Sequence, residues 1–164
     1  MTNTNMSEKD VALKTVAGFF AYGFGSGLAP FAPGTFGTLA AIPFAIALKF
    51  LSGPLQLAVI AVAFAAGIYL CEISSRRAGR KDPGGIVWDE MVAYWLTVVF
   101  LPFNWAWLAA AFVVFRVFDI FKPWPIPMVE RRFRGGLGVM LDDIVAAVYA
   151  MLVLHSAAWL LAPV

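Results

Sequence analysis

From Thr15 to Leu48, between Lys14 and Lys49, the chain carries no charged residue. A bilayer core is crossed by about 20 apolar helical residues, so this run is too long for one helix and has to be broken. The break is written in Gly23-Phe-Gly-Ser-Gly27 and Pro30-Phe-Ala-Pro-Gly-Thr35. Their placement predicts a short or re-entrant helix over about 11–22, an irregular glycine- and proline-rich loop, and a helix over about 36–51. Irregular backbone at membrane depth survives only where it is buried in protein or lines a polar cavity, so the loop is either one wall of a site or an interfacial connector.

The rest of the chain has the same character. Hydrophobic residues make up 62%, charged residues 13%, and the mean hydropathy is +0.82. Soluble chains sit near half apolar and about a quarter charged. The expectation is an all-α integral membrane protein, a compact bundle of about five membrane helices in a single domain spanning residues 1–164, with residues 1–10 as a retained polar tail. Further spans are expected over about 55–73, 86–101, 105–121 and 144–161, the one over 86–101 short enough for the bilayer to thin around it. Ser52-Gly-Pro54 reads as a tight turn, and residues 74–85 as a polar loop carrying Arg76, Arg77, Arg80 and Lys81. Prolines keep Lys122-Pro-Trp-Pro-Ile-Pro127 from being helical. A net charge of +2 without aromatic-basic repeats excludes nucleic acid as a partner.

Lysines and arginines set the orientation. With the N-terminus inside, Lys9, Lys14, the basic residues of 74–85, Arg116, Lys122, Arg131, Arg132 and Arg134 face the cytoplasm, and Lys49 alone lies near the outer surface. The same topology brings Asp89 and Glu90 at the start of one helix, Asp119 at the end of the next, and Asp142 and Asp143 to the inner interface. The two aspartates are expected in the opening turn of the last helix, delivered by the glycine loop Gly135-Gly-Leu-Gly138.

A charge near hydrocarbon is unfavourable unless paired, hydrated or bound to a cation. Any one of these acids could simply complement a helix dipole. Five on helix mouths, with basic residues around them, point to a divalent-cation site handling a phosphate. Magnesium takes a few carboxylates plus waters and substrate oxygens, and lowers the pKa of a bound water, making a nucleophile without histidine. Arg116 and Asp119 are three apart and share a helix face. Lys122 is a phosphate contact or an anchor, and the 131–134 arginines read as lipid-headgroup anchors. The glycine loops could offer N–H groups to an anion, with Ser26 and Thr35 as hydroxyl donors.

Other chemistries fit poorly. Cys71 and Arg77 have cysteine-phosphatase spacing, but no glycine lies between them and Glu72 adjoins the thiol. His155, the single histidine, lies twelve residues beyond Asp143, roughly 18 Å along a helix at about 1.5 Å per residue. A small cation-coupled transporter or ion-conducting subunit is the rival class, but a conduction path distributes acids through the bilayer rather than at one face.

GFGSGLAPFAPGTFGT at 23–38, IVWDE at 86–90, FRVFDIFKPWPI at 115–126 and GGLGVMLDDIVA at 135–146 together resemble the bacterial phosphatidylglycerophosphatase A family. Ala29 and Ala93 stand where that family often has serine and glycine. The resemblance implies a Mg²⁺-dependent inner-membrane phosphatase that converts phosphatidylglycerophosphate to phosphatidylglycerol and inorganic phosphate at the cytoplasmic face. It implies Asp89, Glu90, Asp119, Asp142 and Asp143 as catalytic and metal-binding residues. Arg116, Lys122, Ser26, Thr35, Gly25 and Gly27 would then contact substrate.

Overall fold

The computed structural model describes residues 6–81 and 83–161; the first five residues of the expected polar tail lie outside them. Every regular element among the described residues is helical: α1 Glu8–Lys14, α2 Val16–Ala21, a 3-10 segment Gly23–Leu28, α3 Pro33–Leu48, α4 Gly53–Ala78, α5 Trp88–Val98, α6 Trp105–Phe121, α7 Ile126–Arg132 and α8 Gly135–Leu160. α4 and α8, of 26 residues each, are long and apolar enough to cross a membrane; α3, α5 and α6 are shorter.

The fold is assembled around α5. Nine of its 11 residues are buried, and α3, α4, α6 and α8 all pack on it. Tyr94, at its middle, donates its hydroxyl to the Leu108 carbonyl of α6, and Trp95 donates its indole N–H to Ala41 of α3. Trp88 does the same to Ala63 of α4, so three aromatic donors tie the central helix to three neighbours. Buried polar groups that find such partners cost little and fix the rotation of the helix.

Several expected boundaries move. The single helix expected over 11–22 is two, because Thr15 is extended (φ −130°, ψ 138°) and caps α2: its hydroxyl accepts from Gly18 N–H and donates to Val11 O. α3 starts three residues earlier than expected, on a left-handed Ala32 followed by Pro33, which suits a first helical turn. α4 absorbs residues 74–78 of the expected polar loop, so Arg76 and Arg77 sit on its last turn before the left-handed Gly79 ends it. α7 was not expected; Pro125 and Pro127 lie at its cap and first turn, the positions where a missing N–H is tolerated.

The largest correction concerns the glycine loop. Residues 135–138 are the first turn of α8, and Asp142 and Asp143 lie two turns inside the helix rather than in its opening turn. The glycines serve packing. A Cβ on Gly136 would stand 1.9 Å from the Ile68 carbonyl oxygen of α4, and one on Gly67 of α4 would stand 2.6 Å from the Met140 sulfur of α8. Glycine on both helices allows their backbones to approach. Glu72 of α4 then accepts the Gly136 N–H at 2.8 Å, capping α8 from 64 residues away.

Candidate active site

Three helices deliver carboxylates to one place. Asp89 and Glu90 occupy the first turn of α5, Asp119 the last turn of α6, and Asp142 and Asp143 the second turn and beyond of α8. One oxygen from each of Asp89, Glu90 and Asp143 lies within 4.8 Å of the others. Asp89 is 9% exposed and Asp143 3%. Asp119 is within electrostatic reach of Glu90 and Asp143.

The five acids have different settings. Asp119 holds Arg116 at 2.5 Å, three residues earlier on the same helix face, and Glu90 lies 3.6 Å from the same guanidinium nitrogen. Asp142 accepts a hydrogen bond from Lys122 Nζ at 2.6 Å, with Glu130 3.8 Å away. Lys122 reaches it because it ends α6 in the left-handed region (φ 42°). Burial opposes the Lys122 charge, but the hydrogen bond and charge of Asp142, with Glu130 and Asp143, outweigh it and hold the ammonium above the ordinary lysine range.

Among the described residues Asp89 and Asp143 form no ion pair, and Glu90 has only the 3.6 Å approach to Arg116. Buried oxygens of Asp89 (Oδ1), Glu90 (Oε2), Asp142 (Oδ1) and Asp143 (Oδ2) lack hydrogen-bond partners among the described residues. Close carboxylates with unpartnered oxygens repel one another unless a proton or cation lies between them. An all-oxygen donor set of this kind fits a hard divalent cation. Arg116 Nε is also buried without an acceptor, leaving a donor beside the acids.

Gly34, at the start of α3, completes the wall. A Cβ there would stand 2.1 Å from Glu90 Oε1 and 3.0 Å from an Arg116 nitrogen. The first turn of α3, Pro33-Gly34-Thr35, is therefore against the acids, with Thr35 half-buried. The Gly-Phe-Gly-Ser-Gly loop is occupied otherwise. The Ser26 hydroxyl donates to the Gly23 carbonyl, Gly27 packs on the Gly85 carbonyl, and Gly25 (φ 95°) has open space where a side chain would be.

Cys71 is buried within the continuous helix α4, where no phosphate-binding loop surrounds its sulfur. His155 is at the other end of the bundle, its ring nitrogens 2.9 Å and 3.0 Å from the Met151 and Val99 carbonyls. Sequence reasoning missed Gly34, Glu72 and a basic cleft of about 670 Å³ that borders Asp142. The glycine in Pro-Gly-Thr was the available signal for the first; the other two depend on contacts between segments distant in sequence.

The profile of the family described as phosphatidylglycerophosphatase A matches residues 19–158. The chain belongs to that family. It is 48% identical over 136 residues to phosphatidylglycerophosphatase A of Escherichia coli strain K12, covering 82% of this chain and 79% of the relative. The Haemophilus influenzae phosphatidylglycerophosphatase A is 40% identical over 158 residues, covering 95% and 96%. A Bacteroides thetaiotaomicron protein, provisionally named a phosphatidylinositol-3-phosphatase, is 43% identical over 147 residues, covering 85% and 91%. No solved structure matches the chain. The matched span contains every acid of the site, from Asp89 to Asp143, together with Gly34, Arg116 and Lys122.

Proposed function

We propose that the chain hydrolyses the terminal phosphate monoester of phosphatidylglycerophosphate, giving phosphatidylglycerol and inorganic phosphate, with Mg²⁺. The observation that carries this reading is the convergence of Asp89, Glu90 and Asp143, oxygens unpartnered, in a chain of this family. These three would hold the cation, with Asp119 and Asp142 at its edge. When bound, Mg²⁺ neutralises phosphate charge and lowers the pKa of water.

The protein's own groups do the rest. Arg116, steadied by Asp119, and Lys122, steadied by Asp142, hold non-bridging phosphate oxygens; Arg suits this through paired donors and Lys as a point charge. Gly34, with no side chain, lets Glu90 and Arg116 lie against the start of α3, with Thr35 next in the chain, while Ser26, Gly25 and Gly27 belong to the preceding 3-10 segment. A carboxylate of the set takes the proton from the attacking water as its oxygen bonds to phosphorus, the phosphorus–oxygen bond to glycerol breaks, and that proton passes to the leaving glycerol oxygen.

We read α3, α4, α5, α6 and α8 as five membrane segments of one domain in the bacterial inner membrane, with the N-terminus and the acids cytoplasmic. The apolar surfaces of α4 and α8 and the lysine and arginine distribution support this orientation. A conducting role would want acids along the bundle, whereas the far ends of α3, α5 and α8 meet around Lys49 and His155.

The test is phosphate release in detergent, with Mg²⁺ and with chelator, for the wild type and Asp→Asn at 89, 119, 142 and 143. Phosphatidylinositol 3-phosphate belongs in the substrate panel because of the Bacteroides relative's name. Chelation should abolish release, and Asp89→Asn and Asp143→Asn should lower it about 10²-fold or more, the scale of removing one preorganised electrostatic group. Activity indifferent to chelator and to all four changes ends the proposal.

A further inference from the structure

The cleft of about 670 Å³ beside Asp142 is lined by Lys81 from the α4–α5 connection, Glu130 and Arg131 of α7, Arg134, and Gly138 of α8. Its volume is that of a small-molecule site, well beyond what one phosphate group fills. Lys81, Arg131 and Arg134 form no ion pair among the described residues. Lys14, Arg76, Arg80, Arg116 and Lys122 each have a carboxylate, while Lys9, Lys49, Arg77 and Arg132 also form no ion pair among the described residues but do not line the cleft. Arginines that only anchor the protein to headgroups have no reason to face a shared concavity with a lysine some 50 residues away in sequence. The cleft also borders the acid site directly. Asp142 belongs to both, and Lys122 bridges Asp142 towards Glu130.

We propose that Lys81, Arg131 and Arg134 form a second phosphate-group subsite, adjoining the place where the monoester is cleaved. The inference rests on the phosphatase reading and deepens it. Two sources carry this chemistry: the diester phosphate of the lipid substrate, and the inorganic phosphate released from it. In the first case the cleft selects lipids with two phosphates; in the second it is the exit path for product.

The experiment uses the full chain in nonionic detergent micelles, which remove any effect of anionic membrane on the three cations. The variants are Lys81→Gln/Arg131→Gln/Arg134→Gln together and Arg134→Gln alone. All three residues are exposed, and a melting curve checks folding. Each charge-assisted contact contributes roughly a factor of ten or more, so the triple change should act strongly. If the lipid diester is the occupant, KM for phosphatidylglycerophosphate rises at least about tenfold, with a much smaller change for phosphatidic acid, which has no diester. If free phosphate is the occupant, its inhibition constant rises by a similar factor and KM stays put. KM and inhibition constant both unchanged in the triple variant overturns the proposal. Inorganic phosphate binding followed by ³¹P NMR on wild type and variant separates the two readings. If the wild type cleaves neither lipid yet binds phosphate through these residues, the phosphatase assignment has failed and the subsite has not. If neither protein binds phosphate and no KM moves, the subsite has failed.

Discussion

Replacing Gly136 by Ala tests whether the α4–α8 crossing sets the active-site geometry. A Cβ at this position would stand 1.9 Å from Ile68 O and 2.9 Å from the Glu72 backbone nitrogen. The first distance falls short of ordinary 3.4 Å contact by about 1.5 Å, and both obstacles are backbone, so no side chain can swing away to relieve it. Alanine is the better helix former by up to about 1 kcal/mol, less here in a first turn. Overpacking costs about 1–3 kcal/mol. The clash therefore wins, and the net loss is on the order of 1–2 kcal/mol, a few degrees in melting temperature. The functional cost is larger. α8 can yield only by moving away from α4, and it takes Asp142 and Asp143 with it relative to Asp89 and Glu90 on α5. A displacement near 1 Å in a catalytic constellation costs about 10²-fold in rate. Thermal unfolding in detergent and phosphate release on the same preparation measure both effects. Gly84→Ala is the control, because a Cβ there meets nothing within 4 Å. A Gly136→Ala protein as stable and as active as the wild type would refute the reasoning, and would suit a glycine that served only loop flexibility.

Gly34→Ala should show the opposite balance. Its Cβ would meet the ends of the Glu90 and Arg116 side chains, which can shift, so stability should change by less than about 1 kcal/mol while phosphate release falls at least tenfold. Melting temperature and turnover measured together decide it, and a variant that unfolds without first losing turnover would contradict it. Lys122→Met should lower activity by a factor that does not vary between about pH 6 and pH 9. The folded-state pKa of Lys122 is raised, so its charge and its contribution to stability are fully present below the ordinary lysine value and lost only as pH climbs past the raised one. A deficit that closes as pH approaches 9 would mean the ammonium titrates lower than its partners allow.

The runs that became α4, α6 and the apolar part of α8 were legible because long apolar stretches bounded by turn residues, charged at most towards one end, leave few alternatives in a chain this hydrophobic. Local chemistry misled where a distant partner decided the outcome. Gly135 to Gly138 looks like a loop to any rule based on propensity, yet Ile68 and Glu72, more than 60 residues earlier, make it helix. The prolines around α7 were read as breakers, although in a first turn they are not. At the site, meeting of the acids followed from topology alone: alternating helices bring every second connection to the same side. Their division into a clustered trio and two ion-paired aspartates did not follow. It depends on the rotation of α6 and α8 and on the left-handed turn at Lys122.

The shortness of α5 links the two ends of the molecule. Eleven residues rise about 16 Å, roughly half a hydrocarbon core, so if its neighbours span the bilayer and the acids lie at one interface, its other end stops inside the bilayer. Both ends are buried, at Trp88 and Asp89 and at Val98, and need polar partners from other helices. At the C-terminal end Lys49 donates to the Val98 and Leu101 carbonyls, and His155 lies 3.0 Å from Val99 O. These are the groups the negative end of a helix dipole favours. At the N-terminal end the complement would be negative charge, and Asp89 and Glu90 are there, joined by Asp143. Two or three acids exceed what a half-charge of dipole needs, and their oxygens are left over. The structural demand of a short central helix accounts for the first carboxylate. The surplus is what calls for a proton or a cation between the carboxylates, and it is the part of the cluster that stability alone does not explain.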